Sequence, residues 1–371
     1  MSSKVDDLPL VTDLQRIIID NLPLLDLRAP LEFAAGTIPG AVNLPLIDDA
    51  ERHQIGLCYA EQGQDAAITL GHQLVCDDKK TARVAAWQAF AAEHPQGVLF
   101  CWRGGMRSKI SQQWLFEATG LRYPRIDGGY KALRQYLLSA TQEIANNQPL
   151  LILAGRTGVG KTRFLHSQIQ QIDLEGLANH RGSAFGPHAT AQPNQIHFEN
   201  ALAQALIRRT AAKPAYLLIE DEGRNIGART TPEPLYQQMN QSPLLLLEAT
   251  LEERQQLTYQ EYIVDALAEY QQLLGEESGF NGWADYLRQS LHKIRKRLGG
   301  ERHLQLQKLL ESALQQHWQD PEAHLQWIQV LLQDYYDPMY DYQIGKKEQR
   351  IVMRGNAQQL SEWLQDYAAS K

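Results

Sequence analysis

Short apolar runs, set between longer stretches of helical period, organise this chain. Leu22 to Leu27, Gly97 to Phe100, Leu150 to Ala154, Ala215 to Ile219 and Leu244 to Leu247 are too short and too uniformly apolar for surface helices. They read as strands buried on both faces. Ile110, Trp114 and Leu115 fall on one helical face closed by Gly120, Leu202, Ala205 and Leu206 predict a helix over 198–209, and Leu251 to Leu274 predicts a long one. Residues near Leu14 to Ile19 read as a short helix or strand. Strand and helix alternate in two blocks, which predicts an α/β protein of two domains, each a parallel sheet flanked by helices. The polar stretch Thr141 to Pro149 ends in proline and marks the boundary. The expected division is 1–137, a linker over 138–149, a second α/β domain over 150–280, and a mainly helical extension over 281–371.

At 371 residues and 43% hydrophobic content, the chain has material for two cores. No apolar run is long enough to span a bilayer, and Met1 to Asp7 lacks the apolar segment of a signal peptide, so a soluble cytoplasmic protein without membrane contact is expected. Cys58, Cys76 and Cys101 have no metal-ligand spacing, which fits a reducing compartment and leaves room for a reactive thiol. The net charge of −7 argues against indiscriminate nucleic-acid binding. Even so, Lys293, Arg295, Lys296, Arg297 and Arg302 gather around Gly299-Gly300, as an RNA-contacting face would require. Tyr336, in the tyrosine-rich segment Asp334 to Tyr342, could stack a base. A solvated helix face and a tyrosine-lined seam are the equal alternatives.

Two motifs carry chemistry. In Phe100-Cys101-Trp102-Arg103-Gly104-Gly105-Met106-Arg107-Ser108, a strand delivers a cysteine into a Gly-rich turn with Arg103 and Arg107 beside it and a helix beginning at Ser108. Such a loop favours an accessible thiolate. Gly155-Arg156-Thr157-Gly158-Val159-Gly160-Lys161-Thr162 lies between an apolar strand and a helix and satisfies the phosphate-binding G-x-x-x-x-G-K-[ST] pattern, with Thr162 able to hold Mg²⁺. Arg181 lies in a following charged, Gly-containing loop, a candidate binding element. Glu220-Asp221-Glu222 ends a buried strand, where Asp221 is the expected metal-coordinating carboxylate and a solvated acidic turn is the alternative.

Asp26-Leu27-Arg28-Ala29-Pro30, Glu32-Phe33 and Gly36 to Pro45, with the Cys101 loop and Arg125 to Tyr130, resemble a rhodanese domain over about residues 12 to 137. The usual rhodanese pattern has His where Thr37 stands, and its closing arginine comes five positions after the cysteine rather than six. The longer loop resembles that of rhodanese-fold phosphatases, which normally have His in the place of Phe100. Taken with Gly-Ser-Ala-Phe-Gly at 182–186 and Glu-Asp-Glu-Gly-Arg-Asn-Ile-Gly at 220–227, the two motifs look like the tRNA 2-selenouridine synthases from end to end. That resemblance implies replacement of sulfur by selenium at the wobble 2-thiouridine of tRNAs for Lys, Glu and Gln. Geranyl diphosphate and selenophosphate would be co-substrates, with the sulfur geranylated first, and a selenophosphate-supplying enzyme is a possible partner. It further implies that Cys101 takes selenium as a perselenide-type adduct while Arg103 and Arg107 hold the phosphate. The competing readings are a phosphatase or arsenate reductase fused to a kinase-like P-loop domain, and a nucleotide-switched RNA-binding protein. Oligomeric state is not legible.

Overall fold

A computed structural model describes residues 8–371; Met1 to Asp7, read above for a leader, lie outside the described residues. The described residues form two compact units, the first built from 8–144 and 194–211 and the second from 145–193 and 212–371.

The first unit holds five parallel strands, β1 (Leu10–Val11), β2 (Leu24–Asp26), β3 (Ala41–Asn43), β4 (Val98–Phe100) and β5 (Arg125–Ile126), in the order β1-β5-β4-β2-β3. Side chains alternate across the sheet, so both faces need cover. Leu25 and Leu99 face a core with Trp87, Phe90, Trp114 and Leu115. Leu24, Val98, Phe100 and Ile126 face a second core with Ile17, Leu133 and Leu137. That second core also takes Ala203 and Ile207 from the helix Gln195–Thr210, a segment the sequence places in the other domain. Asn200 Nδ2 donates to Thr37 O at 2.7 Å and Arg208 Nε to Ile18 O at 2.8 Å, fixing this helix to the first unit.

The second unit centres on β6 (Leu150–Ala154), β7 (Gln171–Ile172), β8 (Leu217–Glu220), β11 (Leu244–Leu247) and β12 (Ile351–Gly355), all parallel, in the order β12-β11-β6-β8-β7. A short antiparallel ribbon, β9 (Asn225–Ile226) and β10 (Arg229–Thr230), stands apart from it. Helices from Leu251 to Lys346 build a separate aromatic core around Phe185, Trp283 and Trp327.

Several expectations change. The stretch 138–149 is no open linker: the helix Gly129–Asn147 runs through most of it, because Leu133, Leu137 and Ala140 continue one buried stripe. The C-terminal region contributes an edge strand to the sheet as well as helices. Among the described residues, no helix is long and apolar enough to cross a membrane.

Candidate functional sites

In the first unit β4 ends at Phe100 and hands Cys101 to a turn that closes on the helix Met106–Thr119, which begins two residues before the expected Ser108. The turn is pinned from behind. Tyr130 N donates to Cys101 O at 2.8 Å, Lys131 N to Trp102 O at 2.9 Å and Arg125 Nη1 to Gly104 O at 2.9 Å. Gly104 has φ +64°, and a Cβ there would lie 2.8 Å from Gly128 N, so both conformation and space demand glycine.

The expectation of an accessible thiol is corrected. Cys101 is 3% exposed at the base of the turn, and its Sγ donates to Ser108 Oγ at 3.2 Å, whose hydroxyl passes on to Gly105 O at 3.0 Å. Burial follows from its place at the end of a central strand. Beyond it in the turn, Trp102, Arg103 and Arg107 line an open basin of about 800 Å³ together with Glu32 and Arg52. Arg103 and Arg107 thus border one cavity. Arg107 is also held by a residue the sequence reading missed: its Nη1 and Nη2 reach Glu32 Oε2 and Oε1 at 2.5 and 3.1 Å. Burial alone would push the Glu32 carboxyl up, but Arg107, the Ala29 amide and Arg52 outweigh it and hold the group below its usual range.

Under the turn lies a buried ion pair. Arg28 Nη2 meets Asp26 Oδ2 at 2.6 Å, Arg28 Nε lies 3.0 Å from both carboxylate oxygens, and neither side chain is exposed. Thr37, standing where rhodaneses carry His, donates to Asp26 Oδ2 at 3.2 Å.

In the second unit the phosphate-binding loop links β6 to the helix Lys161–His166. Its outer part is braced by Arg156, 2.8 Å from Asp341, and its inner part by buried Arg254, whose Nε donates to Thr157 O at 2.9 Å while its guanidinium pairs with Asp337. Val159 is packed into the sheet-side core, and Thr162 is half-buried beside Lys161. Lys161 Nζ donates back to Gly155 O at 3.2 Å. Burial opposes its charge, yet Tyr340 and the carboxylates of Glu175, Glu222 and Glu220 outweigh burial and push its pKa up to about 12.

The acidic turn behaves differently from expectation. Glu220 is fully buried, its Oε2 accepts from Leu174 N at 3.0 Å and Glu175 N at 3.2 Å, and its Oε1 has no partner. Burial, then the charges of Asp173 and Glu222, push its pKa up to about 8. Burial also raises Glu222, and burial with Glu222 and Glu220 raises Glu175. Asp221, the expected metal ligand, is instead clasped by Lys347 Nζ at 2.7 Å to each oxygen. Among the described residues no group of three or more His, Cys, Asp or Glu is placed to hold a metal ion by itself. Arg181 is tied to Glu269 at 2.6 Å and to Pro187 O at 3.2 Å.

The basic segment is partly as expected. Lys293, Arg295 and Lys296 line an open cavity of about 980 Å³ together with Arg288 and His292. Arg297 is exposed beside it, and Arg302, also exposed, reaches toward Asp334 O at 3.5 Å. Tyr336 is not available to a base: it is 1% exposed, inside the aromatic core, where Trp327 and Tyr262 also pack.

Comparison with known proteins bears on both units. Residues 148–371 match the family described as the tRNA 2-selenouridine synthase AAA domain, and residues 10–135 match the rhodanese-like domain. The chain is 49% identical over 359 residues to the tRNA 2-selenouridine synthase of Cupriavidus pinatubonensis, covering 96% of this chain and 98% of that protein. It is 48% identical to that of Marinobacter nauticus, with 96% and 97% covered, and 47% identical to that of Pseudomonas putida strain F1, with the same shares.

Proposed function

Because this chain belongs to the tRNA 2-selenouridine synthases, which convert 2-thiouridine to 2-selenouridine, we propose that its two units divide that conversion between them. The P-loop unit holds geranyl diphosphate. Sulfur of the wobble 2-thiouridine attacks C1 of the geranyl group, the C1–O bond breaks, and diphosphate leaves against Lys161 and the loop amides. Support comes from Lys161, whose ammonium lies 3.2 Å from Gly155 O and whose charge is favoured by Tyr340 and by Glu175, Glu222 and Glu220. The basic face around Lys293, Arg295 and Lys296 is the seat for the RNA backbone of the tRNAs for Lys, Glu and Gln.

The Cys101 unit handles selenophosphate. A sulfur–selenium bond on Cys101 formed from selenophosphate would require a two-electron oxidant, which neither substrate provides. Attack on phosphorus needs none: the S–P bond forms, the P–Se bond breaks, and its electron pair leaves with selenide. Selenide adds to C2 of the alkylated base, the C2–S bond breaks with loss of geranylthiol, and water hydrolyses the phosphocysteine. The observation that carries this reading is that Arg103 and Arg107, from the turn that holds Cys101, line one basin, with a loop one residue longer than sulfur transfer uses.

Mass analysis of tRNA nucleosides after incubation with each co-substrate tests it. Geranyl diphosphate alone should give the S-geranyl nucleoside, and both together the selenonucleoside. Cys101→Ser should stop at the S-geranyl stage, and Lys161→Ala should give neither product. Full selenium incorporation by Cys101→Ser would overturn the assignment, as would a selenium rather than a phosphoryl adduct on trapped Cys101.

A further inference from the structure

A thiouridine that reacts beside Cys101 needs a surface to hold its ring, and the tyrosine segment cannot supply one through buried Tyr336. The aromatic side chain next to the cysteine can. Trp102 is 39% exposed. It is nevertheless not loose. Its indole stacks on Tyr130 with ring centroids 5.3 Å apart and planes at 28°. The Arg28 guanidinium covers Tyr130 at 3.8 Å and lies 5.7 Å from the indole, and Arg28 is itself locked by Asp26. The main chain on both sides is pinned by Tyr130 N and Lys131 N. The indole is therefore set in place before any ligand arrives, and it borders the same basin as Arg103 and Arg107.

We propose that this basin is also a nucleobase site, in which the 2-thiouracil ring stacks on the open part of Trp102 beside the selenophosphate that Arg103 and Arg107 hold. A fixed aromatic face beside cations is the combination that holds an unpaired base, and a basin of this size admits a nucleotide. The inference rests on Cys101 being the reacting thiol, and it adds a positioning surface for the base in the turn that carries that thiol.

The test is fluorescence anisotropy of the full-length protein with two anticodon stem-loops, one bearing 2-thiouridine and the other abasic at that position. The base-bearing RNA should bind roughly 5- to 150-fold more tightly, the range that one stacking contact supplies. Trp102→Ala should erase the difference without weakening the abasic complex, and Trp102→Phe should keep most of it. Trp102→Leu, which retains an apolar contact with Tyr130 but offers no ring face, should also erase it, and it serves if the alanine variant folds poorly. Undiminished discrimination by Trp102→Leu or Trp102→Ala overturns the proposal. Cys101→Ser should discriminate normally while losing selenium incorporation. If it keeps incorporation, the role of the thiol fails, whereas the stacking is decided by the Trp102 variants alone.

Discussion

Asp26→Ala should be among the most damaging single substitutions in the first unit. Both Asp26 and Arg28 are fully buried, and the carboxylate accepts from Arg28 Nε, Arg28 Nη2, the Arg28 amide and the Thr37 hydroxyl. Without it Arg28 keeps the Gly36 carbonyl at 2.9 Å and the faces of Tyr130 and Trp102, and its Nη1 already lacks a partner. Leaving one member of a buried pair uncompensated costs about 3–5 kcal/mol, and the orphaned Thr37 hydroxyl falls within that figure. Since a domain commonly has only about 5–15 kcal/mol in hand, this is a large fraction of it. Replacing both partners with apolar side chains, Asp26→Leu with Arg28→Met, should recover most of the loss, because no charge is then stranded. Urea titration read by hydrogen exchange of peptides spanning Leu24 to Asn43 isolates this unit from the other. A loss below about 1 kcal/mol for Asp26→Ala, or a double variant as unstable as the single one, would refute the reasoning.

Two further outcomes follow from the second unit. Gly158 has φ +76°, and a Cβ there would meet Thr258 Oγ1 at 2.3 Å and Arg254 O at 2.7 Å, so Gly158→Ala should destabilise by about 2–4 kcal/mol, seen as a lowered thermal midpoint, and should weaken diphosphate binding. With the Glu220 pKa raised from 4.5 to about 8, the folded state binds more protons than the unfolded chain between those values, so stability should fall as pH rises through that window. Glu220→Gln should flatten the decline, leaving the part due to Glu175 and Glu222, in melts recorded across the window; an unchanged slope would count against the raised value.

Where local pattern decides structure, the sequence was a sound guide. The apolar run before Cys101 and the one before Gly155 are β4 and β6, and both loops stand between strand and helix as expected. What it concealed depends on partners far along the chain. Nothing local says that Asp221 will be taken by Lys347 or that Arg107 will be claimed by Glu32. Tyr336 sits in a segment rich in polar residues, and only the packing of Tyr262 and Trp327 around it decides that it is core. Trp102 shows the converse, an apolar residue left open because the turn carrying it is fixed by main-chain bonds rather than by burial.

The helix Gln195–Thr210 has a consequence for how this protein is born. Ile17 and Ile18, made long before the helix, share their core with Ala203 and Ile207. As the polypeptide leaves the ribosome, the nascent amino-terminal half therefore waits with a greasy flank uncovered while the P-loop strand is synthesised. A fragment cut before the helix would carry that wound permanently, and any graft of this half onto another protein must bring the helix along.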